Sequence, residues 1–252
     1  MKKLPNAPLQ EVIFEVRWRL DVDEETNEEY DSGFELAAGK FWSAVEKEGF
    51  SEYRRKVPRE LPDQLLNYQT VYQFRTKGDR WPLMQLGPGI LTINDTEENY
   101  HWEKTYYPTI EKGLKLLSDA YNTDREYIYA KLLYIDTINA NEYGFDGNWQ
   151  NFVEQNLNFS FTNNFASRGR LNNLQFNQEF RLDDGSDLQL SVSSGSTKKT
   201  REPLLIWQTG VRKKQAFDYN NLLTWLTRSH DTTSELFKEF VKPELYASFK
   251  KS

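Results

Sequence analysis

The chain of 252 residues contains no cysteine, which excludes disulfide bonds, thiolate nucleophiles and cysteine-ligated metal sites. It contains only two histidines, so a histidine-based metal or catalytic centre is not expected either. No window approaches the roughly 20 apolar residues of a membrane span, and the first residues lack the apolar core of a signal peptide. We therefore expect a cytoplasmic protein with no membrane partner.

Positive charge is also in short supply. The chain has 32 Lys and Arg residues against 38 Asp and Glu residues, a formal net charge of −6. This balance opposes broad electrostatic binding to nucleic acid, although a local basic patch would overrule the average. Aromatic residues, by contrast, make up 15% of the chain, so the core is expected to rely on their large buried areas.

Motifs that signal catalysis are absent from the sequence. G-x-S-x-G, G-x-G-x-x-G and H-E-x-x-H do not occur, and residues 194–199 lack the spacing of a phosphate-binding loop. The remaining candidates for acid, base or metal chemistry fall in expected turns, loops or helices, and they are Asp21, Asp23, Asp183, Asp184, His101 and His230. We interpret all six as structural or solvated, and we predict no catalytic residue, no metal site and no cofactor.

The first half begins with a predicted strand at residues 9–20, where apolar and polar residues alternate at the period of a half-buried strand. The apolar residues of that pattern are Val12, Phe14, Val16, Trp18 and Leu20. Residues 21–31 form an acidic run that is too polar for a core, and we interpret it as a solvated loop. Helical spacing from Phe34 to Val45 predicts a helix, after which three strands and a helix at residues 102–120 complete the half.

The second half repeats this order. A strand is predicted at residues 127–138 and a short helix at residues 149–157, followed by an Asn-rich loop at residues 159–173. Three hairpin-linked strands come next. A closing helix is predicted over residues 222–241, with an interruption expected near residues 229–232.

Each half therefore consists of a strand, a helix, three strands and a helix. We predict an α+β fold in which two duplicated β-α-β-β-β-α units, residues 1–124 and residues 125–252, join in one largely antiparallel, curved sheet with helices on one face. This arrangement is similar to the saddle of TATA-binding-protein-like folds, an analogy of architecture that fixes no function.

The N-terminal segment matches the pattern L-x-N-A-P-[IL]-x-E-V-[IV]-F-E-[IV]-R. The matching residues are Leu4, Asn6, Ala7, Pro8, Leu9, Glu11, Val12, Ile13, Phe14, Glu15, Val16 and Arg17. Further matches are Gln85, Ile93, Asn94, Tyr100, Trp102, Leu133, Tyr134, Asn139, His230, Phe237, Pro243, Glu244, Leu245 and Tyr246.

On these residues the chain resembles a sporadically distributed, uncharacterised bacterial protein family. The resemblance brings no activity with it. The scattered occurrence of the family implies an association with mobile or defence-related gene neighbourhoods. Relatives usually carry an arginine before the tyrosine, where this chain has Leu133, and an asparagine near Asp136, so no polar role is carried over to these two positions.

The leading functional hypothesis is a non-enzymatic binding protein that engages a protein partner in an antitoxin-like or immunity role. The acidic balance suits a basic partner, which the acidic run at residues 21–31 would steer. The alternative is an RNA- or DNA-binding protein that uses the concave sheet face, and an enzyme of unknown class has the least support. The candidate binding residues are Arg17, Arg19, Lys131, Lys198, Lys199, Arg201, Arg212 and Lys213. The oligomeric state stays open.

Overall fold

A computed structural model describes residues 4–122, 125–161 and 169–251 of the chain. Over these residues the fold is α+β, with five α-helices and a largely antiparallel sheet of nine strands. Two further short strands form a separate hairpin. Within the described residues, no helix is both long enough and apolar enough to cross a membrane. The coarse fold class predicted from the sequence is confirmed.

The strands are β1 (Leu9–Trp18), β2 (Asp21–Val22), β3 (Glu29–Tyr30), β4 (Glu52–Arg55), β5 (Tyr72–Thr76), β6 (Arg80–Gly87), β7 (Ile90–Asp95), β8 (Tyr127–Asn139), β9 (Gln175–Arg181), β10 (Asp187–Ser196) and β11 (Pro203–Phe217). The helices are α1 (Phe34–Lys47), α2 (Tyr107–Tyr121), α3 (Trp149–Asn156), α4 (Tyr219–Phe240) and α5 (Pro243–Ser248). The order in the large sheet is β4-β5-β6-β7-β1-β8-β11-β10-β9, and β2 pairs with β3.

The chain divides into two compact units. Unit 1 contains Met1–Glu11, Leu133–Val211 and Thr227–Ser252, and unit 2 contains Val12–Leu132 and Arg212–Leu226. The predicted boundary lies between residues 124 and 125, directly after residues 123–124, which lie outside the described residues. Residues 162–168 of the predicted Asn-rich loop also lie outside them.

The core of unit 2 lies between the sheet and two helices. Phe14, Ile93, Met84 and Phe74 are cross-strand neighbours on β1, β7, β6 and β5, and all four are buried. Helix α2 approaches this face so closely that a methyl group on Gly113 would lie 2.6 Å from Ile93 Cδ1. The alternation read from β1 is therefore confirmed, and it orients this strand's apolar face towards the helices.

The core of unit 1 is dominated by aromatic side chains. Trp207 of β11 and Phe237 of α4 lie with ring centroids 6.4 Å apart, and Phe237 lies 6.3 Å from Phe249, which follows α5. Helix α3 adds Trp149 and Phe152, whose rings meet edge to face at 5.7 Å. These contacts confirm the expectation that aromatic residues carry much of the core. Aromatic pairs of this kind add about 0.5–1.5 kcal/mol beyond the area they bury.

Helix α4 is continuous, so the predicted interruption near residues 229–232 is wrong. The hydroxyl of Thr233 donates a hydrogen bond of 2.9 Å to the carbonyl of Ser229, and the hydroxyl of Thr232 donates an equal bond to the carbonyl of Arg228. Polar side chains that bond back to the preceding turn are satisfied inside the helix. Their presence therefore does not end it.

Candidate binding site

The acidic run after β1 is an ordered arm, formed by the β2–β3 hairpin and its turn. The backbone N–H of Asp23 donates to the carbonyl of Glu28 at 2.9 Å. Oδ1 of Asp23 accepts hydrogen bonds from the backbone N–H groups of Thr26 at 2.8 Å and Glu25 at 2.9 Å. The bonds to Thr26, followed by the bond to Glu25, lower the pKa of Asp23 because they favour its charged form.

Asp31 fixes the base of this arm. Its Oδ2 accepts hydrogen bonds from the Trp18 indole at 3.1 Å, the Gly89 backbone N–H at 3.1 Å and the Tyr121 hydroxyl at 2.7 Å. The Asp31 side chain is only 1% exposed, and Nη2 of Arg125 lies 4.0 Å from Oδ1. Burial, and then the Asp31 charge, raise the pKa of Tyr121. The prediction that the whole run from residue 21 to residue 31 is solvated is therefore wrong at its last residue.

The arm borders a cleft with a volume of about 350 Å³ in unit 2. The residues that line this acidic cleft are Asp23, Thr26, Glu28, Glu29, Tyr30, Asp31, Phe34, Glu35, Leu66, Asn67 and Pro88. Phe34, Leu66 and Pro88 are buried, whereas Glu28, Glu29 and Glu35 are exposed. The cleft thus combines buried apolar side chains with an acidic border.

Exposed apolar side chains gather in the same part of unit 2. Tyr30 of the arm is 44% exposed and Val22 is 53% exposed. Leu36 in the first turn of α1 is 68% exposed, and Leu65, next to the lining residue Leu66, is 64% exposed. A group of exposed apolar residues beside a cleft is a common feature of interaction surfaces, whereas single ones are ordinary.

The charge of the whole chain is concentrated at this surface. Residues 21–35 contain eight Asp and Glu residues and no Lys or Arg, a charge of −8. Because the chain carries −6, the rest of it carries −6 minus −8, or +2. Composition indicated an acidic protein, but the acidity belongs to one short segment.

The eight basic residues predicted as binding residues are divided between the two units. Lys198, Lys199 and Arg201 are exposed in the connection between β10 and β11, in unit 1. Arg19 is exposed at the end of β1 in unit 2, where its Nε lies 2.5 Å from Oε2 of Glu126. Arg19 is therefore already engaged in a surface ion pair within the chain.

Three of the predicted residues lie on neighbouring strands of the sheet, in unit 2. Arg17 of β1 and Arg212 of β11 both act electrostatically on Lys131 of β8, and Glu15 of β1 opposes them. Lys213 follows Arg212 on β11 and is half-buried. The half-buried cations Arg17, Lys131 and Arg212 and the carboxylate of Glu15 are named here the cationic cluster.

The sheet face that carries Glu15 is less open than the sequence suggested. Glu15 lies opposite Thr92, and Thr92 lies opposite Gln85, so these side chains share the face away from the helices. Thr92 is 5% exposed and Gln85 is 8% exposed. Gln85 Oε1 accepts hydrogen bonds from Lys56 at 3.1 Å and from Gln73 at 2.9 Å, which satisfy it where it is buried.

The two histidines hold structural contacts. Nδ1 of His101 accepts a hydrogen bond of 3.3 Å from the backbone N–H of Lys104 at the start of the helical segment that leads into α2. In unit 1, Nδ1 of His230 lies 2.9 Å from the Tyr134 hydroxyl. These contacts agree with the structural role predicted for both residues.

A buried carboxylate in unit 1 was not predicted. Asp136 of β8 is 5% exposed, and burial raises its pKa to about 7, while the neighbouring Trp207 indole acts in the opposite direction. The Trp207 indole nitrogen forms no hydrogen bond of ordinary geometry with any described residue. Asp136 therefore lies in a desolvating site with little to stabilise its charge.

These features describe an α+β protein with an acidic, partly apolar cleft and a separate cationic cluster in the same unit. No protein-family model, no curated protein and no solved structure matches the chain.

Proposed function

We propose that this chain is a non-enzymatic binding protein whose acidic cleft engages a basic, partly apolar segment of a partner protein. The observation that carries the proposal is the coincidence of a charge of −8 over residues 21–35 with exposed apolar side chains in the same part of unit 2. Solvated acidic loops do not require exposed apolar neighbours. A surface that binds a basic protein segment uses both.

The lining of the cleft suits the side chains of lysine and arginine. Their aliphatic stems would lie on the apolar floor formed by Phe34, Leu66 and Pro88, while their charged heads would reach the carboxylates of Glu28 and Glu29 at the border. The exposed ring of Tyr30 beside them adds an aromatic anchor of the type that dominates interface energetics.

A metal ion is a less suitable occupant than a protein segment. Among residues 4–122, 125–161 and 169–251, no three His, Asp or Glu side chains are grouped closely enough to hold a metal ion. The acidic residues that line the cleft, Asp23, Glu28, Glu29, Asp31 and Glu35, therefore do not form such a group. A spread of single charges matches a peptide that carries several separate cations.

The fixed base of the arm strengthens the proposal. Asp31 ties the arm to Trp18, Gly89 and Tyr121 through its three hydrogen bonds. The arm is therefore held in place before any partner binds. A surface that is ordered in advance loses less conformational entropy on association, and affinity rises accordingly.

The test is a fluorescence-anisotropy titration of the full chain with labelled peptides of equal length and equal apolar content. One peptide carries Lys and Arg, one carries Asp and Glu, and one is uncharged. We expect the basic peptide to bind most tightly and its affinity to fall as salt is raised. The variant Glu28→Lys/Glu29→Lys should weaken that binding by about tenfold or more, because it replaces attraction with repulsion at the border of the cleft.

The matched control is Glu235→Lys/Glu239→Lys, which makes the same change in net charge at two exposed positions of α4. It should bind the basic peptide with nearly the affinity of the original chain. Equal losses in the two variants would reduce the effect to net charge and contradict a specific site. Preference for the acidic or the uncharged peptide would contradict the proposal outright.

An antitoxin-like or immunity role, in a defence-related setting, is the biological form we propose for this binding activity. It rests on the family resemblance described above and on the surplus of acidic residues over basic ones. A partner encoded at the same locus would then be basic over the segment that enters the cleft. Co-expression of each neighbouring gene product with the original chain, and separately with the Glu28→Lys/Glu29→Lys variant, tests this role directly.

We also propose that the two halves are copies of one β-α-β-β-β-α unit, joined as a TATA-binding-protein-like saddle. The sheet order supports this, because β7-β6-β5-β4 continue from β1 on one side as β11-β10-β9 continue from β8 on the other. The first half departs from the repeat by its additional strand and by the β2–β3 arm. An experimental structure in which residues 9–121 and residues 127–240 fail to superpose would contradict it.

A further inference from the structure

Strand β4 of unit 2 lies at one end of the large sheet, next to β5, and among the described residues no strand pairs with its other side. The backbone N–H of Lys56, directly after β4, donates to the carbonyl of Val71 at 2.8 Å. Backbone groups of an antiparallel strand point alternately to its two sides. Arg54 therefore also faces β5, whereas the N–H and C=O groups of Tyr53 and Arg55 point to the open edge. This edge offers backbone donors and acceptors to a further strand.

The exposed apolar side chain on this edge belongs to Tyr53, which is 46% exposed. The centroid of its ring lies 5.2 Å from that of Trp42 of α1 and 5.3 Å from that of Tyr72 of β5. These two neighbouring rings restrict the orientation of Tyr53 before any contact with another chain, which lowers the entropic cost of association. Tyrosine is also one of the residues enriched where protein surfaces meet.

The residues on either side of Tyr53 carry opposite charges on the other face of the sheet. Glu52 is half-buried and Arg54 is exposed, and Nη2 of Arg54 lies 3.9 Å from Oε2 of Glu52. Nη1 of Arg54 lies 3.2 Å from Oδ2 of Asp79, and Oε1 of Glu52 accepts a hydrogen bond of 2.6 Å from the backbone N–H of Gly78. Surface ion pairs of this kind contribute little to stability, so both charges can also interact with a neighbouring chain.

Backbone direction and charge together select one register for β4 against a second copy of itself. Identical edges pair antiparallel through a twofold axis, and their alternating backbone groups meet only when that axis passes through a residue. With the axis at Tyr53, the outward groups of the two Tyr53 residues face each other, and each Glu52 lies opposite Arg54 of the second copy. An axis at Glu52 or at Arg54 would place two like charges directly opposite each other. An axis at Arg55 would place Arg54 opposite Lys56.

We propose that β4 pairs with β4 of a second copy of this chain, with Tyr53 at the twofold axis. The two Tyr53 residues exchange backbone hydrogen bonds, and Ser51 of each copy does the same with Arg55 of the other. The tyrosine rings lie together on one face of the joined sheet, and the two pairs of Glu52 and Arg54 lie on the other. Because the strand is short, the contact is small, and we expect a dissociation constant in the micromolar range. This surface shares no residue with the acidic cleft, and it does not depend on the proposed function.

The test is sedimentation velocity of the full chain over a concentration series that spans the micromolar range. We expect monomer at the lowest concentrations and dimer at the highest. Arg54→Glu should weaken dimerisation by about tenfold or more, because it places two carboxylates opposite each other at each pair. Glu52→Arg should have the same effect with two cations. Arg228→Glu makes the same change as the first variant at an exposed position of α4, and it should leave dimerisation unchanged.

A mixture of the two variants tests the register itself. In a pair formed by one Arg54→Glu chain and one Glu52→Arg chain, every carboxylate again lies opposite a cation. We therefore expect an equimolar mixture to dimerise within about threefold of the original affinity, although each variant alone does not. Circular dichroism checks that both variants are folded. Folded variants that fail to dimerise when mixed would overturn the proposal, and so would an equal loss in Arg228→Glu.

A second readout uses the original chain and does not depend on how the variants fold. The backbone amides of Tyr53 and Arg55 point to the open edge, so their hydrogen exchange, followed by NMR, should become slower as the protein concentration rises. The amide of Arg54 already faces β5 and should change little. A chain that stays monomeric at every concentration would overturn the proposal. Dimerisation that leaves the amides of Tyr53 and Arg55 in fast exchange would overturn it equally.

Discussion

Two buried aspartates, one in each unit, meet the cost of burial in different ways. Asp31 of unit 2 receives three hydrogen bonds on one carboxylate oxygen and faces Arg125 across 4.0 Å. Among the described residues, the Trp207 indole is the group that lowers the pKa of Asp136 in unit 1, but burial outweighs it and raises that pKa to about 7. The first carboxylate is stabilised by donors that converge on it, and the second is stabilised by keeping its proton.

The difference teaches what each aspartate can contribute. A charge surrounded by donors holds distant segments together, because each donor comes from a different part of the chain. A desolvated carboxyl with few donors favours the neutral form, so its effect on stability depends on pH. The same residue type is therefore expected to be a structural anchor in one unit and a weak point in the other.

Replacement of Asp31 tests the anchoring side of this comparison and should have the largest effect. We expect Asp31→Ala to lower the free energy of unfolding by about 3–5 kcal/mol, because it leaves three donors and Arg125 without their acceptor. Guanidinium denaturation followed by tryptophan fluorescence measures the change. Glu25→Ala, at an exposed position of the same arm, should shift it by less than about 0.5 kcal/mol. A loss below about 1 kcal/mol for Asp31→Ala would mean that the three bonds anchor nothing.

Replacement of Asp136 should act in the opposite direction. Between about pH 4 and pH 7 the folded chain holds a proton on Asp136 that an unfolded aspartate has lost, so stability falls as the pH rises through this window. Asp136→Asn removes the titration. We expect the variant to be more stable than the original chain at pH 8 by an amount on the order of a few kcal/mol, and the gain to shrink towards pH 4.

Urea denaturation of both chains at pH 5 and pH 8 measures the effect of Asp136→Asn. Asp231→Asn is the matched control, because it makes the same change of side chain at an exposed position of α4, and it should change the free energy of unfolding by less than about 0.5 kcal/mol. A gain that is identical at the two pH values would show that Asp136 does not titrate in this range.

The contact between Tyr134 and His230 in unit 1 joins two polar side chains, and its loss should have the smallest of these effects. Tyr134→Phe removes the hydroxyl that lies 2.9 Å from Nδ1 of His230, and we expect a loss of about 0.5–1.5 kcal/mol in the free energy of unfolding. Urea denaturation again provides the measurement. Tyr219→Phe removes a hydroxyl from a tyrosine that is 38% exposed and should be nearly neutral. An effect as large as that of Asp31→Ala would place the main polar anchor in unit 1.

The sequence predicted those elements in which one physical preference dominates. The alternation of Val12, Phe14 and Val16 leaves only one way to bury β1, and that prediction is confirmed. Gly78, with its φ of +82°, marks the tight turn between β5 and β6 as expected. Local pattern is sufficient where the periodicity of apolar residues is strong.

The sequence did not predict features that depend on donors from distant segments. Asp31 ends a run of acidic residues that looks uniformly solvated, and its donors lie 13, 58 and 90 residues away along the chain. The exposed Tyr30 within that run was the available signal, because an aromatic residue is unusual in a solvated loop. Lys131, by contrast, was among the predicted binding residues, but its place on β8, between β1 and β11, could be seen only in three dimensions.

The hydrogen bond from the Gly89 backbone N–H to Asp31 has a consequence for hydrogen exchange. Gly89 lies in the turn between β6 and β7, a place where amide protons normally exchange with solvent within seconds. Here its proton is directed at a carboxylate beneath the acidic arm, so its exchange rate becomes a reporter of whether the arm is seated. NMR would follow this slowly exchanging amide while candidate partners are added. A change in its exchange rate would report binding at the acidic cleft, although Gly89 does not line that cleft.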